Sequence, residues 1–289
     1  MKITFLGLGV MGYPMAGHIS EAGYQVTVFN RTIEKAKKWE KEYQGHVGET
    51  IADAVSDADL VLMCLGNDQD VDEVVLGTSG VLTHMKSGGV LVDHTTVSAN
   101  LAEKLARCCQ EKSIGFLDAP VSGGESGAQN GILTVMVGGE QEILDRASPV
   151  LSTYGKNIVL TGPSGSGQRT KMVNQICIAG ILQGLSEGLN LAEKSGLDID
   201  KVLMAIGGGA AQSWQLNNRG RTMKEGRYDF GFATYWMIKD LNICIEEAGR
   251  VGCDLELTRK VLESYRALSE AGHGRSDTSC LIESLRSGE

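Results

Sequence analysis

The chain has 289 residues, with 38 Gly, only 4 Pro, 42% hydrophobic residues and a formal net charge of −9. Glycine stands at roughly twice its usual ~7% but follows no G-X-Y period, which excludes collagen, and the hydrophobic share excludes a disordered chain. Lys and Arg are scattered against an acidic balance, so neither a nucleic-acid footprint nor attachment to anionic lipid is expected, whereas a small anionic ligand held by a few local cations is compatible.

In chain order, short apolar or β-branched runs alternate with helical patterns. The apolar start Met1–Leu6 meets Gly7, too soon for a signal segment. Ile3–Leu6 reads as a strand followed by a helix over Val10–Ala22. Gln25–Asn30 and Ile33–Glu42 repeat the pair, as do Asp59–Cys64 and Asp70–Val75. Strand runs follow at Val90–Asp93, Gly115–Asp118, Leu133–Val137 and Asn157–Leu160, with amphipathic helices Ala99–Glu111 and Gln141–Leu151 among them. That alternation predicts βαβ units and a mostly parallel sheet with right-handed crossovers. All four prolines, Pro14, Pro120, Pro149 and Pro163, precede residue 164, and the character then changes. Met172, Ile176, Ala179, Leu182, Leu185, Leu189 and Ala192 predict one long helix over Gly167–Ser195, and helical patterns continue at Ile199–Ile206, Tyr235–Val251, Leu257–Ala271 and Thr278–Leu285. The expected organisation is an α/β dinucleotide-binding domain over 1–163 and an all-helical domain over 164–289, joined by the long helix.

Seven cysteines without a CxxC pair read as reduced packing residues of a cytoplasmic protein. His18, His46, His84, His94 and His273 form no ligand-spaced cluster, so no metal site is expected. No run approaches the ~18 apolar residues of a membrane span.

Three glycine clusters carry the chemistry. Gly7-Leu8-Gly9-Val10-Met11-Gly12 follows the first strand and opens a helix. Its glycines permit a tight turn, close approach of a pyrophosphate and close helix–strand packing, while the helix N-terminus offers N–H groups to phosphate. At the end of the second strand, where an NAD-preferring fold places a carboxylate for the ribose hydroxyls, the chain reads Asn30-Arg31-Thr32. Arg31, with Thr32 and Lys35, can pair with a 2′-phosphate, so NADP(H) is favoured and NAD(H) is the alternative; Arg31 as a loop cation stacking on adenine is the competing reading. Asp118-Ala119-Pro120-Val121-Ser122-Gly123-Gly124 exposes successive backbone N–H groups with the Ser122 hydroxyl, which suits a carboxylate as well as an ordinary loop. Gly162-Pro163-Ser164-Gly165-Ser166-Gly167 leads into the long helix, with Lys171 and Asn174 on one face. A lysine there can deliver the proton that carbonyl reduction by hydride requires; read alone, it is a surface lysine. Lys239-Asp240 likewise reads alone as a charged spot on a helix.

Together these motifs, with Lys239-Asp240-Leu241, occur in an order that resembles the β-hydroxyacid dehydrogenase family, which includes 3-hydroxyisobutyrate dehydrogenases and semialdehyde reductases. The resemblance implies a Rossmann-type domain followed by an all-α domain, with the active site in a cleft. It implies Lys171 as general acid and base, Asn174 orienting the substrate oxygen, Ser122, Gly123 and Gly124 binding the substrate carboxylate, and Lys239 at the nicotinamide end. Thr96 matches the family's cofactor-contacting Ser/Thr, and Leu65 follows the fourth strand where the backbone passes the cofactor. Here the family's frequent proline after that strand is replaced by Leu65-Gly66-Asn67. Trp214 reads equally as a pocket wall or core, and Arg219 as a partner for a second substrate carboxylate or a structural cation. The expected activity interconverts a small 3-hydroxy acid and its semialdehyde or keto form with NADP(H). A homodimer or homotetramer is expected from the long apolar helix. The competing readings are an NADP(H)-binding scaffold without turnover and, among enzymes, an imine reductase relative, which usually lacks the lysine. The chain is too short for a 6-phosphogluconate dehydrogenase.

Overall fold

The structure is a computed structural model and describes residues 1–286. It contains two compact units, Met1–Lys171 and a second beginning at Met172. The first unit runs β1 (Lys2–Leu6), α1 (Gly12–Glu21), β2 (Gln25–Phe29), α2 (Ile33–Glu42), β3 (His46–Val47), α3 (Ile51–Val55), β4 (Leu60–Met63) and α4 (Asp68–Leu76). It continues through α5 (Val81–His84), β5 (Val90–Asp93), α6 (Ala99–Glu111), β6 (Gly115–Asp118), β7 (Val121–Ser122), α7 (Gly124–Gln129), β8 (Leu133–Gly139), α8 (Gln141–Leu151) and β9 (Gly155–Gly162), and opens α9 (Ser166–Lys194).

The strands lie in the order β3-β2-β1-β4-β5-β6-β8-β7, with β9 paired to β8. Every pairing from β3 to β6 is parallel; β8 runs antiparallel to β6 and β7 and parallel to β9. This is a Rossmann-like mixed sheet. Alternation along the strands fills both faces. Ile3, Phe5, Leu60, Leu62, Val90 and Val92 join one core with Met15, Ile19, Trp39 and Leu144, whereas Val61, Met63 and Leu91 join another with Val55, Val71, Leu101 and Leu105. A parallel sheet needs helices on both faces, because water on either would strip apolar side chains of burial that contributes ~1.5–3 kcal/mol each.

Register decides where function can sit. Phe29, Leu6, Met63, Asp93 and Asp118 are Cα partners across five neighbouring strands, and each ends its strand. The loops after β2, β1, β4, β5 and β6 therefore leave the sheet side by side. The strand order reverses at β1, between β2 and β4, and the crevice outside the carboxyl ends at such a switch point is where open α/β sheets bind ligands.

The second unit is helical: the remainder of α9, then α10 (Ile199–Gly207), α11 (Trp214–Lys224), α12 (Thr234–Val251), α13 (Glu256–Glu270), two 3₁₀ turns (His273–Arg275 and Thr278–Ile282) and α14 (Glu283–Arg286). Its core joins Ala179, Leu182 and Leu189 of α9 to Met237 and Leu241 of α12, Val261 and Tyr265 of α13, and Cys280–Ile282. α9 has 29 residues, about 43 Å of helix. The predicted helix over Thr278–Leu285 is instead a 3₁₀ turn followed by α14, started by the Asp277 carboxylate, which accepts the Ser279 N–H at 3.0 Å.

Candidate active site

The glycine turn after β1 is fixed by close backbone approach. Gly7 has φ +92° and donates its N–H to Phe29 O at 2.9 Å, and a Cβ there would run into Cys64 O. A Cβ on Gly12 would overlap Gly7 O and stand 2.8 Å from Phe5 Cε1, so that glycine brings α1 down onto β1. Gly9 differs: a Cβ there meets nothing within 4 Å, and the residue is exposed beside exposed Val10. Neither fold nor neighbours ask for glycine at 9, so the cradle it leaves fits the close passage of a pyrophosphate. Leu8 is buried, Met11 is partly buried, and α1 begins at Gly12 rather than Val10.

Asn30 Oδ1 accepts the Leu8 N–H at 2.9 Å and its Nδ2 donates to Thr32 O at 3.0 Å, so its amide ties the glycine turn to the loop after β2. Arg31 is exposed, and its Nη1 lies 3.1 Å from Asp70 Oδ1 in the first turn of α4. Thr32 precedes α2 without a side-chain capping bond. Sequence reasoning missed Asp70, which comes within reach only through the fold.

The next two loops are braced from behind. Leu65 N donates to Thr95 Oγ1 at 2.9 Å, and Thr95 N donates to Asp93 Oδ1 at 2.8 Å. His94 is fully enclosed: Nδ1 lies 2.6 Å from Ala119 O, and Nε2 2.9 Å from the Tyr154 hydroxyl. Since a carbonyl only accepts, Nδ1 carries the proton and Nε2 accepts from tyrosine. Burial lowers its pKa to about 4, so the ring is neutral. Thr96 is half-buried between these braced residues.

After β6, Ser122 ends β7, and Gly123 and Gly124 take φ +133° and +62°. Two successive positive φ values suit glycine and turn the backbone sharply into α7. Asp118, fully buried, does not face this turn. Its Oδ1 accepts from Gly165 N at 2.7 Å and its Oδ2 from Gln168 N at 2.9 Å, holding the start of α9. Burial raises its pKa, and the N–H bonds oppose that rise. Side chains on Gly138 or Gly167 would come within 2.8 Å of Asp118 Oδ2, so both glycines make room for the carboxylate.

Lys171 lies on α9, one turn beyond Gln168, and is 8% exposed, which overturns its reading as a surface lysine. Asn174 follows three residues later on the same helix. Within the second unit, Asn174 Nδ2 donates to Gln175 Oε1 at 2.8 Å and Gln175 Nε2 to Asp240 Oδ2 at 2.7 Å. Asp240 Oδ1 lies 3.2 Å from Lys239 Nζ, outside hydrogen-bond geometry, so that contact is electrostatic. Asn174 and Lys239 are thereby linked through buried Gln175, which sequence reasoning did not single out, and buried Asp240, which it read alone only as part of a charged spot on a helix. Lys239 also sits 5.4 Å over the Trp236 ring.

Arg219 has partners within the fold: Nε lies 3.0 Å from buried Asp277, and the guanidinium stands 4.9 Å from the Trp214 ring and 4.8 Å from Phe230. Trp214, half exposed, is not core. Among the described residues no group of His, Cys, Asp and Glu is arranged to hold a metal ion, and no helix is long and apolar enough to cross a membrane.

Residues 2–162 match the NAD binding domain of 6-phosphogluconate dehydrogenase, and residues 165–285 match the NAD-binding domain of NADP-dependent 3-hydroxyisobutyrate dehydrogenase. An uncharacterized oxidoreductase of Shewanella frigidimarina is 51% identical over 284 residues, 98% of either chain. The 2-hydroxy-3-oxopropionate reductase of Escherichia coli is 35% identical over 286 residues, covering 99% of this chain and 97% of that one. Among solved structures, Mycobacterium tuberculosis 3-hydroxyisobutyrate dehydrogenase with L-serine superposes with a TM-score of 0.90 at 29% identity over 99% of each chain. With a dinucleotide-type turn at the switch point and matches over nearly its whole length, the chain belongs to the 3-hydroxyisobutyrate dehydrogenase-like β-hydroxyacid dehydrogenases, a family of NAD(P)-dependent oxidoreductases.

Proposed function

We propose that the chain interconverts a small 3-hydroxy acid and its semialdehyde or keto form, preferring NADP(H) to NAD(H). The observation that carries this reading is the burial of Lys171 on a helix whose first turn is hydrogen-bonded to the loop after β5 and to the last residue of β6. Burial costs a lysine the hydration of its ammonium, and proton transfer to a carbonyl is chemistry suited to such a group. The relatives support the substrate class: one is named for 2-hydroxy-3-oxopropionate, and another was solved with L-serine, a 3-hydroxy acid.

The residues to hold the dinucleotide are the turn from Gly7 to Gly12 (with Leu8, Gly9, Val10 and Met11) for the pyrophosphate, Asn30, Arg31 and Thr32 for the adenosine end, and Leu65, Thr96 and Lys239 towards the nicotinamide. When bound, the cofactor supplies hydride to the carbonyl carbon or accepts it from the hydroxyl-bearing carbon. Lys171 gives the matching proton to the carbonyl oxygen in reduction, becoming a neutral amine, and takes it from the hydroxyl in oxidation. Asn174 orients that oxygen. Ser122 and the backbone at Gly123 and Gly124 hold the carboxylate and so fix which carbon is presented. The second unit also suggests a homodimer or homotetramer: Ile181 and Leu191 of α9 and Met204 of α10 remain exposed.

Lys171→Ala tests the reading with glyoxylate, succinic semialdehyde, methylmalonate semialdehyde, tartronate semialdehyde and L-serine, each with both cofactors. Turnover of the best substrate should fall ~10²–10⁴-fold while NADPH affinity, read by fluorescence, stays within about threefold. Turnover like the wild type would refute the role of Lys171, and NADPH binding by a wild-type chain that turns over no member of the panel would favour the scaffold.

A further inference from the structure

Gln168 belongs to none of the motifs that announce the chemistry, yet it is 0% exposed and satisfied on three sides. Its Nε2 donates to Thr95 O at 2.7 Å, its Oε1 accepts from Val97 N at 3.1 Å, and its own backbone N–H goes to Asp118 Oδ2. The amide thus grips the chain on both sides of Thr96, as a neighbouring strand would, with a carbonyl and an N–H two residues apart paired to one planar group. Lys171 stands three residues further along, on the same face of α9.

We infer that Gln168 is the positioning residue of the reaction, fixing Thr96 and the rotation of the first turn of α9, and hence Lys171, in one frame. This rests on the roles proposed above for Lys171 and Thr96. Asp118 supplies the other half of the frame. It anchors Gly165 and Gln168 from the end of β6, the strand that leads to Ser122–Gly124. Loops from two strands and the proposed proton donor are held by side chains whose hydrogen bonds run to the protein itself. A displacement of about 1 Å at a reacting group is enough to cost on the order of 10²-fold in rate.

The amide chemistry provides its own test. Gln168→Glu keeps the size, but an ionised carboxylate sets acceptor against acceptor at Thr95 O. A protonated one restores the donor. Gln168→Met fills the space with neither donor nor acceptor. The kcat and KM of wild type, both variants and Lys171→Ala are measured from pH 5 to pH 8.5, with NADPH affinity and melting temperature alongside. Asp118 is present in every protein, and Gln168→Met reports its titration without a second carboxylate beside it. Gln168→Glu should lose about 10²-fold in kcat at pH 8 and regain at least tenfold of that, relative to wild type, as pH falls and the carboxyl protonates. Gln168→Met should stay low throughout, and KM should move less than kcat in both. A Gln168→Glu profile that parallels wild type would overturn the inference, as would a kcat for Gln168→Met, per folded molecule, equal to wild type. Should these variants not fold, Asp118→Asn replaces one acceptor of the α9 anchor by an amide N–H₂; it should lower kcat at unchanged KM, and a wild-type kcat overturns the inference. If Lys171→Ala is inactive and the Gln168 variants are normal, only the positioning role fails; an active Lys171→Ala removes the proposed function itself.

Discussion

Gly9→Ala separates the demands of the fold from those of the cofactor, because the three glycines of the turn have unlike surroundings. At Gly12 a methyl group overlaps the Gly7 carbonyl and stands 2.8 Å from the Phe5 ring, so backbone must shift, costing ~1–3 kcal/mol as for other overpacked sites. At Gly7 the left-handed φ of +92° adds ~1–2 kcal/mol to a collision with Cys64 O. At Gly9 nothing lies within 4 Å and φ is not positive, so the methyl narrows the unfolded ensemble and stabilises by ~0.4–1 kcal/mol. In a domain of this size 1 kcal/mol moves the melting temperature by about 2–4 °C. Thermal melts should therefore show Gly9→Ala at or slightly above wild type and Gly12→Ala several degrees below it. Fluorescence titration should show NADPH affinity of Gly9→Ala reduced at least about tenfold, the equivalent of ~1.4 kcal/mol. Wild-type NADPH affinity in Gly9→Ala would refute the passage of pyrophosphate over that glycine, and a melt as low as that of Gly12→Ala would refute the claim that the fold leaves the position open.

Two further outcomes follow from side-chain partners. Replacing Arg31-Thr32 by Asp-Ile should weaken NADPH far more than NADH, with an equal loss for both showing that the arginine does not read the phosphate; Asp70→Asn should act in the opposite sense. The pair of exposed Arg31 with half-buried Asp70 contributes only ~0.2–1 kcal/mol, so its release should raise NADPH affinity by no more than about fivefold, checked by the same titration. His94 is neutral in the folded chain, with its pKa depressed from 6.5 to about 4, so the unfolded chain binds more protons between those values. Stability should fall as pH drops through that window by up to about 3 kcal/mol. Urea denaturation at pH 7 and pH 4.5 should show that loss in wild type. It should show a much smaller one in His94→Phe, which starts lower at pH 7 because Ala119 O and the Tyr154 hydroxyl lose their partner. An equal pH dependence in both would exclude His94 as its source.

The sheet was legible because its signals are local: β-branched runs of strand length, glycines where backbones nearly touch, and prolines confined to the part with strands. The three glycine clusters could be marked as candidates for the same reason, as motifs a few residues long, and Lys171 through the one that precedes it. The braces were not legible. Asp118 reaches Gln168 across 50 residues of sequence, Gln168 reaches Thr95 across 73, and Gln175 reaches Asp240 across 65. Nothing in the residue types says which of 36 Asp and Glu will be buried. His94 shows the same limit: its service as a neutral spacer between β5 and Tyr154 depends on packing alone. A signal existed for Asp118, a carboxylate at the end of an apolar strand run, where exposure to solvent is least expected.

The enclosure of the Asp118 carboxylate has a consequence for how variation in this chain is to be interpreted. Gly138 and Gly167 leave no room for even a methyl group beside it, the latter also lying within 2.6 Å of the Met136 and Asp118 carbonyls once a Cβ is added. In a saturation scan scored by growth or colour, substitutions at both positions should be depleted as severely as those at Lys171, the proposed proton donor, because both glycines face the Asp118 carboxylate. Scoring protein abundance in parallel separates them: the glycine variants disappear from the cell, and the lysine variants accumulate as folded, inactive protein.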